Sequence, residues 1–165
     1  MLSEKYHRVP IGQALDLNSA ATIACDSINM KNVLKATLVF TFDTLAGAST
    51  TLELYSGATN AACTSTCYFN YAFGGAAIGT ATAGSTTSCD VLAAWTNANT
   101  ITITHTAYDN FMLIVEFDPA CMDTANDEEW LTPQFTDPGG ATGTVDVLAI
   151  LTMRSNSNRE GTVLA

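Results

Sequence analysis

Lys35-Ala36-Thr37-Leu38-Val39-Phe40-Thr41-Phe42 is the most telling stretch of the chain. Ala36, Leu38, Phe40 and Phe42 alternate with Thr37, Val39 and Thr41. A two-residue period of this kind gives an extended segment one apolar face and one face of mostly threonine. The same alternation returns in 99–105, Asn-Thr-Ile-Thr-Ile-Thr-His, where β-branched residues dominate. Segments 110–117 and 144–153 are more continuously apolar, as central strands are. Shorter strand candidates are 11–17, 20–25, 50–55, 67–73, 89–93 and 129–135.

Turn residues separate these segments. Ala46-Gly47-Ala48, Ser56-Gly57, Gly74-Gly75, Gly84-Ser85, Asp118-Pro119 and Asp137-Pro138-Gly139-Gly140 supply the required backbone freedom and stops. No long 3.6-residue stripe exists; only 27–34 and 119–125 have room for a helical turn or two. Many strands at short spacing with few helices imply an all-β sandwich of the jelly-roll kind with about eight strands. The span 74–88, built of Gly, Ala, Thr, Ser and little else, reads as a long exposed loop. The expected organisation is an N-terminal arm over 1–19, a sandwich over 20–154 and a polar C-terminal tail over 155–165.

Charge is distributed unevenly. Residues 36–153 contain no lysine or arginine and carry a formal charge of −12, whereas the flanks carry +2. A body without cations has nothing to neutralise phosphates, which argues against nucleic acid as a partner and against phosphorylated substrates. With 47% hydrophobic and 13% charged residues, the surface must be largely Thr, Ser, Asn, Ala and Gly. That composition suits packing against copies or partners. No secretion-type segment or apolar run of membrane length is visible, so synthesis in a cytoplasm and no membrane association are expected. Five cysteines, Cys25, Cys63, Cys67, Cys89 and Cys121, leave at least one unpaired within the chain. Free thiols are expected, with a disulfide among Cys63, Cys67 and Cys89 as the alternative.

Few constellations suggest chemistry. His105 with Asp109 is the only histidine–carboxylate pair to weigh for a triad, and no Gly-x-Ser-x-Gly elbow accompanies it. The glycine-rich 74–79 lacks the Lys-Ser/Thr of a phosphate loop. Asp123, Asn126, Asp127, Glu128 and Glu129 offer oxygen ligands for a divalent ion without EF-hand spacing; a solvated loop is the plainer reading. Glu116 and Asp118 share a strand face but lack the aromatic platforms of a glycosidase. The expectation is therefore a non-enzyme without metal or cofactor. Trp95 and Trp130 remain the candidates for stacking on a glycan or on another protein. Lys5, Tyr6, His7, Arg8, Val9, Pro10 and Ile11 combine cations, an aromatic ring and a rigid proline ahead of the first strand. Such a segment can dock on a neighbouring subunit or add to a sheet edge.

Three parts of the sequence together resemble small structural proteins of tailed bacteriophages, the head decoration or capsid cement type. They are the opening Met-Leu-Ser-Glu-Lys-Tyr-His-Arg-Val-Pro-Ile-Gly, the turn Cys25-Asp26-Ser27-Ile28-Asn29-Met30-Lys31-Asn32, and the 35–42 strand that it feeds. Asn110-Phe111-Met112-Leu113-Ile114-Val115-Glu116-Phe117-Asp118 is similar to the family's late apolar strand, and 145–153 to its closing strand. The cysteines and the Thr/Ala-rich loop 56–88 depart from that pattern. The resemblance implies a non-catalytic jelly roll on the outer capsid surface that bridges capsomers. Its partners would be the major capsid protein and copies of itself, as a trimer on a local three-fold. Lys31 joins 5–11 as a docking residue on this reading. The alternative is a tail or fibre module that binds a host-surface glycan through Trp95, Trp130 and loop 74–88.

Overall fold

The computed structural model describes residues 6–18, 22–79, 88–136, 140–155 and 162–164. Its strands are β1 (Tyr6–Asp16), β2 (Thr22–Ala24), β3 (Ile28–Asn29), β4 (Val33–Phe42), β5 (Ala46–Gly47), β6 (Thr50–Gly57) and β7 (Ser65–Thr66). These are followed by β8 (Phe69–Phe73), β9 (Thr96–Ala98), β10 (Thr100–Ile103), β11 (Met112–Phe117), β12 (Trp130–Thr136), β13 (Ala141–Thr142) and β14 (Thr144–Met153). One short helix, α1 (His105–Tyr108), and 3₁₀ turns at Pro119–Cys121 and Thr124–Asn126 complete the described elements.

Two antiparallel sheets face each other. The first runs β1-β14-β4-β11-β8-β9 and the second β10-β6-β12-β2, with β3 and β7 attached to β12 and β6. Setting aside the two-residue strands and the β8–β9 hairpin, eight principal strands remain: β1, β2, β4, β6, β10, β11, β12 and β14. Counted in chain order, they lie first-eighth-third-sixth in one sheet and second-seventh-fourth-fifth in the other. That is the jelly-roll order, so the all-β sandwich read from the alternation is the fold. The hairpin β8–β9 is an insertion between the fourth and fifth principal strands that widens the first sheet beyond β11.

Alternation and burial agree. In β4, Ala36, Leu38, Phe40 and Phe42 are buried between the sheets, while Thr37, Val39 and Thr41 face outward and are half-buried. Across the core, Phe135 meets Phe40 and Phe42 edge-to-face at 5.8 and 6.3 Å, a geometry that aromatic quadrupoles favour. Leu52, Leu54, Val115, Leu131 and Leu151 are fully buried around them. Pro133 is tolerated inside β12 because the pairing there passes from β3 (at Leu131) to β2 (at Gln134). Its carbonyl still accepts from Cys25 N at 2.9 Å, and its missing N–H falls in the gap.

Several expectations differ from the structure. The arm over 1–19 is, from Tyr6 to Asp16, a strand of this chain's own sheet, paired with β14 along its length. The reason is visible in its pattern: Val9, Ile11 and Leu17 point into the core and are buried. The tail over 155–165 does not stay free, since Val163 is buried and its carbonyl accepts from Asn29 N at 2.8 Å. Segment 89–93 makes a single bridge, Leu92 to Gly74, and the strand follows at Thr96–Ala98. Segment 27–34 is β3 and a turn instead of a helix, whereas 119–125 does hold two 3₁₀ turns. Most of the low-complexity loop, 80–87, lies outside the described residues, as does Lys5.

Candidate contact surface

The register of the first sheet orders its outward side chains into cross-strand rows. One row reads Tyr6–Thr152–Lys35, and the next Arg8–Ile150–Thr37–Glu116–Asn70–Asn97. A central row reads Pro10–Leu148–Val39–Ile114–Ala72, and a last one Asp146–Thr41–Met112–Gly74. The central row is apolar throughout, and Leu148 within it is 37% exposed. Shallow grooves of about 430 and 450 Å³ lie at the two ends of the face, the first over Pro10, Gln13 and Asp146, the second over Lys35, Asn70 and Glu116.

The same register explains the charge asymmetry. β1 and β4 start, and β14 ends, at one end of the sandwich, so Arg8, Lys31, Lys35 and Arg154 gather there. These are all the cations among the described residues. Lys35 pairs with Glu116 at 2.7 Å and Lys31 with Glu129 at 3.3 Å, while Arg154 Nε reaches Val33 O at 3.4 Å. The opposite end carries Asp16, Asp43, Asp109 and Asp146 and no cation among the described residues. The flanks read as free ends in the sequence because only antiparallel pairing of β1, β14 and β4 brings them together.

The expected docking residues are thus partly united. Tyr6, Arg8 and Pro10 face outward on β1, Val9 and Ile11 are core, and His7, on the same side as these two, is half-buried. Lys31 is exposed at the same end. β1 is an edge strand, blunted by Pro10 and by register shifts at Pro10/Gly12 and Gly12/Leu15. At this irregularity Ala14 takes a φ of 47° and donates its N–H to Asp146 Oδ1 at 2.7 Å. Such devices discourage unplanned strand addition. The two tryptophans are not brought together: Trp95 precedes β9 of the first sheet and is 47% exposed, and Trp130 opens β12 of the second and is half-buried.

The groups considered for chemistry are committed elsewhere. Asp109 Oδ1 accepts from Leu45 N at 2.8 Å, and no hydrogen bond joins it to His105 among the described residues. His105 Nδ1 is buried without a partner there. The acidic loop disperses instead of converging. Asp123 caps the second 3₁₀ turn, Glu129 pairs with Lys31, and the buried Glu128 accepts from Ser56 Oγ and, at 3.0 Å, from Ser65 Oγ. Among the described residues no three metal-binding side chains converge. All five cysteines are free thiols. Burial raises the pKa of the Cys67 thiol, and the nearby Glu128 carboxylate acts in the same direction.

No protein-family profile matches this sequence, and no curated protein sequence does either. Among solved structures it is similar to the SPBc2 prophage-derived protein YomS, at 11% identity over 88% of this chain and 91% of that one, with a TM-score of 0.45. It is also similar to the STIV MCP, at 12% identity over 91% of this chain and 49% of that one (TM-score 0.36). A carbohydrate-binding module specific for non-crystalline cellulose, CBM28, matches at 12% identity over 81% and 65%, with a TM-score of 0.33. Likeness at this level leaves the function to be argued from the chain's own residues.

Proposed function

We propose that this chain is a non-enzymatic structural protein of a phage particle, bound to the outer capsid surface, where it bridges capsomers. The observation that carries this reading is the outer face of the first sheet. It is broad and uncharged along its centre, and it ends where all the cations among the described residues gather. Tyr6, Arg8, Lys31 and Arg154 would meet acidic patches of the major capsid protein, and the uncharged face would meet copies of this chain. Such contacts are individually weak, add up over a repeating shell, and stabilise the assembled state by mass action. The commitment of Asp109 and Glu128 to structural hydrogen bonds supports a role in contact over one in catalysis.

Cosedimentation with capsids of the particle whose genome carries this chain tests the reading. Binding should saturate and weaken with rising salt. The double variant Lys31→Glu/Arg154→Glu should lose it while keeping its fold, because the ion pair that it breaks is exposed. Equal binding by the variant, or binding indifferent to salt, would remove the cationic end from the mechanism.

A further inference from the structure

The inserted hairpin β8–β9 carries a feature that shell binding does not use. Its strands pair through Asn70 and Asn97, and Asn97 Nδ2 donates to Asn70 Oδ1 at 2.9 Å and to Phe69 O at 3.2 Å. Both amides are exposed. This arrangement uses the oxygen of one amide and the nitrogen of the other. The NH₂ of Asn70 and the carbonyl of Asn97 are left as an outward donor and an outward acceptor. Two residues before Asn70 stands Tyr68, and two residues before Asn97 stands Trp95; they are 59% and 47% exposed. Tyr68 and Trp95 stand just before β8 and β9, and they are exposed with Asn70 and Asn97 while Cys67 and Phe69 are buried, which sets all four on the outward side. The antiparallel pairing places the rings on opposite sides of the amide pair, roughly 13 Å apart along the strands at about 3.3 Å per residue.

We infer that this edge is a binding platform for a neutral oligosaccharide about three sugar units long. Exposed aromatic rings offer apolar faces to the C–H faces of pyranoses. The amide pair between them offers one donor and one acceptor to ring hydroxyls, the polar complement that a sugar requires. Asn70 and Asn97 are held in register by strand pairing, which lowers the ordering cost on binding. Acidic sugars are disfavoured: the body is strongly negative, and Lys35, which shares a groove with Asn70, is already paired with Glu116. Trp130, on the other sheet, takes no part. The platform belongs to an insertion in a jelly roll, and insertions on rigid scaffolds commonly carry recognition. Asn70 shares a groove with Lys35 of the cationic end, but Tyr68, Trp95 and Asn97 are not among the residues assigned to shell binding, so binding to shells and binding to sugars can fail separately.

The test is a titration of the isolated chain, followed by tryptophan fluorescence and by calorimetry, with cellotriose, N-acetylchitotriose and mannotriose as probes and sialyllactose as the charged control. A saturable change with at least one neutral probe and none with the control is expected. Trp95→Ala and Tyr68→Ala should each weaken calorimetric binding about tenfold, the worth of one aromatic contact. Asn70→Ala should weaken it too, and Trp130→Phe should leave it unchanged. Since Tyr68 and Trp95 are exposed, these variants should melt with the parent chain. Absence of saturation with all three neutral probes would overturn the inference. Binding that survives Trp95→Ala and Tyr68→Ala, or that is lost in Trp130→Phe, would also overturn it.

Discussion

Cys25 shows how a single residue sets a property of the whole chain. It directly follows the short β2, its N–H donates to the Pro133 carbonyl, and its thiol is buried. Burial, reinforced by the adjacent Asp26 carboxylate, pushes its pKa up to about 12 from an ordinary 9. The folded state therefore holds its proton between pH 9 and 12 while the unfolded chain releases it. Linkage then gives a stability contribution that is complete below pH 9 and lost as pH rises toward 12, with a slope approaching about 1.4 kcal/mol per pH unit. Cys67 and Cys63 are raised in the same sense by burial, and Tyr55 is raised to about 12 chiefly by its hydrogen bond to Glu53. The urea midpoint should therefore be flat from pH 7 to 9 and fall above it. Cys25→Ala should flatten the fall in part while lowering stability near neutrality by about 1 kcal/mol for the lost contacts. A midpoint unchanged between pH 8 and 11 would show that no buried thiol is being held neutral. Cys25 should also resist thiol reagents until the chain unfolds, whereas the exposed Cys121 should react in the native state.

Among the elements, the long strands were legible in the sequence and the short ones were not. β14 spans the 144–153 read from its apolar run, and β4 and β11 fall within two residues of expectation. In each case burial of alternate residues overrides every local preference. β3, β5, β7 and β13 have only two residues each, too few for a period to show. β1 was misjudged because Lys5, His7, Arg8 and Pro10 look like a terminus, although Val9 and Ile11 already alternate inward. The site residues fared likewise: exposure of Trp95 was anticipated, but Asn70, Asn97 and Tyr68 matter only through a cross-strand register that no spacing announces. The entry to the inserted hairpin depends on Gly57. A Cβ there would lie 2.1 Å from the carbonyl oxygen of Ala62 and 2.7 Å from its Cβ. Loop 58–64 has no slack to yield, because Ala61 N donates to Ser27 Oγ at 3.0 Å and Ser27 is bonded to Thr132 at 2.7 Å. Gly57→Ala should therefore cost about 1–3 kcal/mol, the usual range for overpacking, with amide exchange quickening first in 58–66. An unchanged melting temperature would mean that this loop is free to move away.

For the whole molecule, the register makes the proposed contact with copies of this chain specific enough to test. Let a two-fold axis run in the interface, parallel to the strands and midway between β14 and β4. β14 then lies over the partner's β4, and β1 over the partner's β11. Since Pro10, Leu148, Val39 and Ile114 share one row, Leu148 meets the partner's Val39 and Pro10 meets the partner's Ile114. Arg8 and Glu116 share the next row, so each Arg8 meets the partner's Glu116, twice by symmetry. Strand spacing puts Arg8 about 7 Å from the axis, and the ~30° rotation of aligned sheets shifts it by about 4 Å, within reach of a guanidinium. Four strands and four rows cover roughly 500 Å² per copy, at the lower bound for a specific interface. A reversible, concentration-dependent dimer is the outcome expected of this pairing in sedimentation equilibrium, and a trimer there would favour the three-fold cluster that the sequence resemblance implies. Arg8→Glu alone and Glu116→Lys alone should each be monomeric where the parent chain dimerises, because like charges then face each other. An equimolar mixture of the two should dimerise again, since both cross-pairs in the mixed dimer are of opposite sign. Lys35 loses its partner in Glu116→Lys, but that pair is half-exposed, so the fold should hold. If the mixture stays monomeric, or if neither single reversal changes the association of the parent chain, this face does not pair with itself.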